Sequence, residues 1–176
     1  MSLQNILVGA VKDHFSKDDD DTAVSHATAQ SSTSDNSLFS SALQFIKERN
    51  IDKDDIDEEH AVNAHRQYEN GEGGNMDSRD LGAGAAMQAL KIFNSGSGES
   101  SGSGQDKNKF IGLAMAQAEK MWEEKAGKGE ASGDKQSAIN QAAEMAFKFY
   151  LKSQMSGSSG TGGPSGLMDL AGKFLK

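Results

Sequence analysis

Four short constellations have residue types that chemistry could use. Gly98-Glu99-Ser100-Ser101-Gly102 has the G-x-S-x-G spacing of a nucleophile elbow. An elbow works because a strand feeds a strained turn that lifts the serine Oγ into the open. Here a Ser/Gly tract surrounds the match and no strand pattern precedes it, so it reads as linker. Gly82-Ala83-Gly84-Ala85-Ala86 has a faint likeness to a phosphate-cradling loop. The dinucleotide pattern needs a preceding strand and a third small residue where Met87 stands. Two glycines in an alanine-rich run instead suit close approach of helix backbones.

His60 and His65 lie among Asp57, Glu58, Glu59 and Glu69. Metal ligands on one helix face need a spacing of three or four. The two histidines are five apart, and His65 with Glu69 alone makes a poor site. Asp52, Asp54, Asp55 and Asp57 have the charge of a calcium loop. The fifth and sixth places of that loop need an oxygen ligand and a glycine, and hold Ile56 and Asp57. No cysteine is present, which excludes disulfides, thiol catalysis and Cys-zinc sites. The expectation is therefore no enzyme, no metal, no cofactor and no small-molecule substrate.

Charge narrows the partners. Residues 1–80 hold 17 acids and 7 bases, and residues 81–176 hold 9 acids and 11 bases. A net charge of −8 argues against nucleic acid, whose phosphates call for a basic surface. The acidic runs read as solvated surface, or more sharply as one side of head-to-tail contact between unlike halves. The apolar run Ile6 to Val11 is too short to span a bilayer and lacks a basic leader. The expected location is cytoplasmic, with the nucleus as a second place.

The elements that would hold these residues are helices. With 21 alanines, one proline (Pro164) and 176 residues, the chain reads as an all-α, single-domain bundle of about six or seven helices joined by Gly/Ser-rich loops. Leu3, Ile6, Leu7, Ala10, Val11, His14 and Phe15 recur at helical spacing over 3–16, with Ser2 as cap. Residues 16–35 read as acidic loop with a short turn at Thr22 to Gln30. A second helix is expected over 37–49, capped by Asn36, with Leu38, Phe39, Ala42, Phe45 and Ile46 buried. A third begins at Asp54 or Asp55, ends near Glu69 and lies on the surface, with Ile56, Val62 and Tyr68 as its apolar contacts.

The second half is richer in alanine and glycine. The segments 81–93, 110–122 and 139–151 are apolar on most faces, as buried helices are. Linkers at 95–104, 127–133 and 156–166 separate them. Pro164 and Ser165 open a last amphipathic helix with Leu167, Leu170, Ala171, Phe174 and Leu175. Lys91-Ile92-Phe93, Lys120-Met121-Trp122, Lys148-Phe149-Tyr150 and Lys173-Phe174-Leu175 each stand where a helix is expected to close. Their lysines are 29, 28 and 25 residues apart, so the C-terminal half is read as repeat-like. A lysine there suits the negative end of the helix dipole.

Leu81-Gly82-Ala83-Gly84-Ala85-Ala86-Met87-Gln88-Ala89-Leu90-Lys91, Ile111-Gly112-Leu113-Ala114-Met115-Ala116-Gln117-Ala118 and the opening Leu3-Gln4-Asn5-Ile6-Leu7 to Phe15 resemble a family of small fungal proteins, some named "beta-flanking protein". The resemblance implies a fungal source and no established enzyme activity, and carries over no functional residue.

These readings converge on a non-enzymatic interaction or self-assembly protein, whose partner is a second copy or another protein. The candidate interaction surface is Leu3, Ile6, Leu7, Val11 and Phe15 with Leu167, Leu170, Phe174 and Leu175. Two other classes compete. One is a heat-soluble, stress-linked protectant, suggested by high Gly, Ser and charge. The other is a peripheral lipid binder using the terminal helices, disfavoured because their polar faces carry few lysines: Lys12, Lys17, Lys173 and Lys176.

Overall fold

A computed structural model describes residues 17–33, 35–49, 51, 57–71, 74–95 and 103–156. These form an all-α bundle of six helices: α1 (Lys17–Gln30), α2 (Asn36–Glu48), α3 (Glu58–Asn70), α4 (Ser78–Ser95), α5 (Ser103–Gly127) and α6 (Lys135–Ser156). The expected terminal helices over 3–16 and 167–175, and with them the nine candidate interaction residues, lie outside the described residues.

α1 replaces the expected loop. Asp18, Asp19 and Asp20 fill its first turn, where carboxylates suit the positive end of the helix dipole. Its buried side chains are Ala23 and Ala27, four apart. Thr22 and Thr28 return their hydroxyl protons to the carbonyls of Asp18 (2.7 Å) and Val24 (2.8 Å). A helix that buries only alanines has no apolar stripe to read in the sequence.

α2 begins one residue earlier than expected. Its cap is Asp35 rather than Asn36, and the carboxylate accepts from the Ser37 N–H at 3.0 Å. Phe39, Ala42, Leu43 and Ile46 form the buried face. α3 is capped by Asp57, which accepts from the His60 N–H at 2.9 Å, so it starts later than Asp55. It ends at Gly71, whose φ of 66° lets its N–H reach the Tyr68 carbonyl. It is more than a surface helix: Ala61, Ala64 and His65 are buried, while Val62 and Tyr68 are only half-buried.

α4, α5 and α6 make the interior. From Leu81 to Leu90 every side chain of α4 except Gln88 is buried. α5 extends beyond 110–122 at both ends. It runs on past Lys120-Met121-Trp122 to Gly127, so that triplet does not close a helix as the repeat reading requires. Lys148 likewise stands two turns before the end of α6, and Lys91 lies about one turn before the end of α4.

α4, α5 and α6 pack on one another, α3 packs on α4, α1 on α5, and α2 on α6 and α1. Backbones meet at glycines. A Cβ on Gly82 would lie 2.4 Å from Gln141 Cβ and 2.8 Å from the Ala142 nitrogen, which places the α4–α6 contact there. A Cβ on Gly112 would lie 2.6 Å from the Ala23 carbonyl oxygen and 3.0 Å from the Ala27 nitrogen, which places the α1–α5 contact there. Gly84 sits against Ala64 and His65 of α3. The Gly82/Gly84 run is thus a packing surface inside a helix, with only an isolated bridge residue, Met76, in place of a strand before it among the described residues.

Three of these neighbours run in the same direction. Asn108 reaches Asp19 near the start of α1, and Ser32, just past its end, reaches Glu123 far along α5. Gln136 reaches the Leu38 carbonyl, and Arg49 reaches Glu144. His60 meets Asp80 near the starts of α3 and α4, and Glu69 meets Lys91 near their ends.

Candidate functional site

Two polar regions flank the residue 128–135 connection. The first is a cleft between the starts of α4 and α6. Met76 donates its N–H to the Glu130 carbonyl (2.8 Å) and accepts from the Ser132 N–H (2.9 Å), an isolated parallel bridge that sets both helix starts side by side. Asp77 caps α4 by accepting from the Asp80 N–H at 2.8 Å. Asp134 caps α6 by accepting from the Ser137 N–H (2.7 Å) and hydroxyl (2.9 Å), and these bonds hold its carboxyl below the usual range. At Gly133, with φ of 89°, the backbone turns so close to Ser78 that a Cβ would strike the hydroxyl. The open cleft of about 320 Å³ is lined by Arg79, three serines and both caps. Two helix N-termini and an arginine suit an anion. Here each cap carboxylate already takes one of those N–H groups, and an incoming anion would meet its charge.

The second region is the C-terminal part of α5, where three carboxylates, Glu119, Glu123 and Glu124, meet side chains of neighbouring elements. Ser32, in the α1–α2 connection, donates to Glu123 Oε2 at 2.8 Å and points toward Glu119 Oε1 at 3.5 Å. Lys135, at the start of α6, donates to Glu123 Oε1 at 2.7 Å and stands 5.5 Å over the Trp122 ring. The Trp122 indole N–H donates to the Gly133 carbonyl at 3.3 Å. Tyr68 of α3 and Lys128 both donate to Glu124. Lys125, 3% exposed, donates to Glu130 at 3.0 Å. One turn of α5 therefore ties together the α1–α2 connection, α3 and the start of α6.

The carboxylates titrate in opposite directions. Burial pushes the Glu119 carboxyl above the usual range, and the Glu123 charge adds to it. Hydrogen bonds from Lys135 and Ser32 hold Glu123 below it, and bonds from Tyr68 and Lys128 do the same for Glu124. Burial, with the Glu124 contact, pushes the Tyr68 hydroxyl up. A pair of carboxyls with separated pKa values is the signature of an acid and a base. Glu119 is 0% exposed, however, so no reactant reaches it, and its Oε2 has no hydrogen-bond partner. The chemistry of this region is helix-to-helix binding with one group left unsatisfied.

The histidines are engaged separately. His60 Nε2 lies 3.2 Å from Asp80 Oδ1. His65 Nε2 lies 2.6 Å from Gln88 Oε1 and 3.6 Å from Glu69 Oε1, and Glu69 also holds Lys91. The structure brings neither to the other. Among the described residues, no group of three or more His, Asp or Glu is placed to hold a metal ion. Nor is any described helix long and apolar enough to cross a membrane. The α5 junction had no signal in the sequence, since Ser32 and Glu123 are 91 positions apart.

The model of a family described as a domain of unknown function, DUF7721, matches residues 19–98. That stretch spans nearly all of α1 and the whole of α2, α3 and α4. Neither the curated proteins nor the solved structures give a match to the chain.

Proposed function

We propose that this chain is a non-enzymatic helical assembly protein that joins copies of itself, or another protein, through contact between unlike charged faces. The observation that carries the reading is how charge is divided over exposed positions. α1 exposes Asp18 and Asp21 beside one base, Lys17, and α3 exposes Glu59 and Glu69 beside Arg66, whereas α5 exposes Lys109 and Lys120 beside one acid, Glu124. Charges set on different helices suit head-to-tail contact, and such contact is screened by salt. Buried charges support the reading in another way: Lys125, Glu144 and Glu119 are engaged with neighbouring elements rather than with an open cavity. On the same reading the protein is cytoplasmic or nuclear and of fungal origin, as its likeness to the beta-flanking group implies.

Sedimentation velocity across concentration, at low salt and at about 1 M salt where the screening length is about 3 Å, tests it. Assembly that dissolves at high salt is expected. A monomer at every concentration and ionic strength overturns the self-association.

A further inference from the structure

We propose that Ser32 is a phosphorylation site whose modification frees the α1–α2 connection and the C-terminal end of α1 from α5. Among the described hydroxyls of this connection, Ser32 is the one that crosses to another helix. The Ser31 hydroxyl lies between the carbonyls of Thr28 and Thr33, and Ser37 donates to Asp35 within its own cap. Ser32 is exposed, lies outside regular helix and is followed three places on by Asp35. An acid-directed serine kinase can therefore reach it.

Its hydroxyl has one proton for two carboxylates. The proton serves Glu123 at 2.8 Å, which leaves Glu119 with a 3.5 Å contact on Oε1 and no partner on Oε2. Phosphoryl transfer from a nucleoside triphosphate forms an Oγ–P bond and breaks the bond from the γ-phosphorus to the β–γ bridging oxygen. The nucleoside diphosphate leaves, and the hydroxyl proton passes to the kinase's base. The connection then has no donor for Glu123 and gains about −1.5 to −2 of charge. A phosphoryl group on this oxygen would stand beside the Glu123 carboxylate, like charge against like.

The groups facing this point are Glu119, Glu123 and Lys120 of α5 and Lys135 of α6. Lys135 is already bonded to Glu123. The connection must swing away, and α1 opens from its C-terminal end. Asp20 near the start of α1 stays paired with Lys47 of α2, and α2 stays on α6 through Gln136 and Glu144. The inference does not depend on the assembly reading.

The test has two arms on the full chain. In the first, the chain is treated with ATP and an acid-directed serine kinase, and sites are mapped by mass spectrometry with Ser32→Ala as control. Ser32 is expected to be modified, and a kinase that leaves it untouched overturns the proposal. In the second, phosphoserine is encoded at residue 32 and amide hydrogen exchange is followed. Residues 23–32 are expected to exchange roughly tenfold faster, while α3 is unchanged. The increase should shrink when Glu119→Gln and Glu123→Gln are combined with the phosphoserine. Unchanged exchange in α1, or equal loosening of α3, overturns the release.

Discussion

The two parts of α5 hold their neighbours by different physics. From Phe110 to Ala118 the helix is almost wholly buried, and it meets α1 at a glycine with no side chain between backbones. From Glu119 to Lys125 it meets the α1–α2 connection, α3 and α6 through carboxylates, a tyrosine, an indole and lysines. The first part is bound by area and shape, which respond to volume. The second is bound by hydrogen bonds and charge, which respond to protonation, salt and covalent modification. A helix built this way can keep its core while one set of neighbours is released.

Substitutions that separate the two modes sharpen this contrast. The largest effect is expected at Phe110, fully buried and edge-on to Phe93 with ring centroids 5.9 Å apart. Phe110→Ala should cost about 3–5 kcal/mol in denaturant unfolding. An unchanged midpoint would mean that the apolar part of α5 is not where the stability lies.

Gly112→Ala comes next. The new methyl would stand 2.6 Å from the backbone oxygen of Ala23, which cannot yield without moving α1. A loss of about 1–3 kcal/mol is expected, with hydrogen exchange in α1 rising more than in α4. Equal rises in both helices would show that the glycine contact is not local to α1.

Glu119→Gln should raise stability by about 1 kcal/mol at neutral pH, because a buried carboxylate with one unpartnered oxygen is replaced by an uncharged amide. The sign with pH follows from the upward shift of this carboxyl. Its raised folded pKa favours the native state below the ordinary glutamate value of 4.5 and loses that contribution as pH rises through the folded value. The difference between variant and parent should therefore shrink as pH falls toward about 4.5, and a difference independent of pH would sink the assignment. Glu123 and Glu124 have lowered pKa values and act oppositely: their contribution is lost as pH falls through their folded values. The smallest effect belongs to the exposed Lys128–Glu124 pair, where Lys128→Ala should leave the unfolding midpoint unchanged in low or high salt.

Legibility in the sequence divides along the same line. α2 was readable because Phe39, Ala42 and Ile46 give a stripe at helical spacing, and α4 because Leu81 to Leu90 is apolar nearly all round. α1 was not, because its contact residues are Ala23 and Ala27 and its partner is a glycine on a distant helix. The sequence leaves the cap of α2 open by one residue, since Asp35 and Asn36 are both good caps and only geometry chooses Asp35. The ends of α5 were missed because Lys107 and Glu123 are polar and earn their helical place through tertiary contacts. The packing role of Gly82 and Gly84 was legible from composition. Nothing local marks Ser32 as the partner of Glu119 and Glu123.

The order in which the helices find partners bears on how the chain is made. α1 rests on α5 and α2 on α6, with contacts such as Leu38–Gln136 closing 98 positions of chain. A polypeptide leaving the ribosome exposes its N-terminal part first. The hairpin of α1 and α2 then emerges long before the surfaces that receive it, and the apolar face of Phe39, Leu43 and Ile46 waits uncovered for α6. Such long-range closure slows folding relative to a bundle of sequential neighbours. Residues 19–98 expressed alone would lack both receiving helices, so translation through α6 is the point at which the N-terminal helices can first settle.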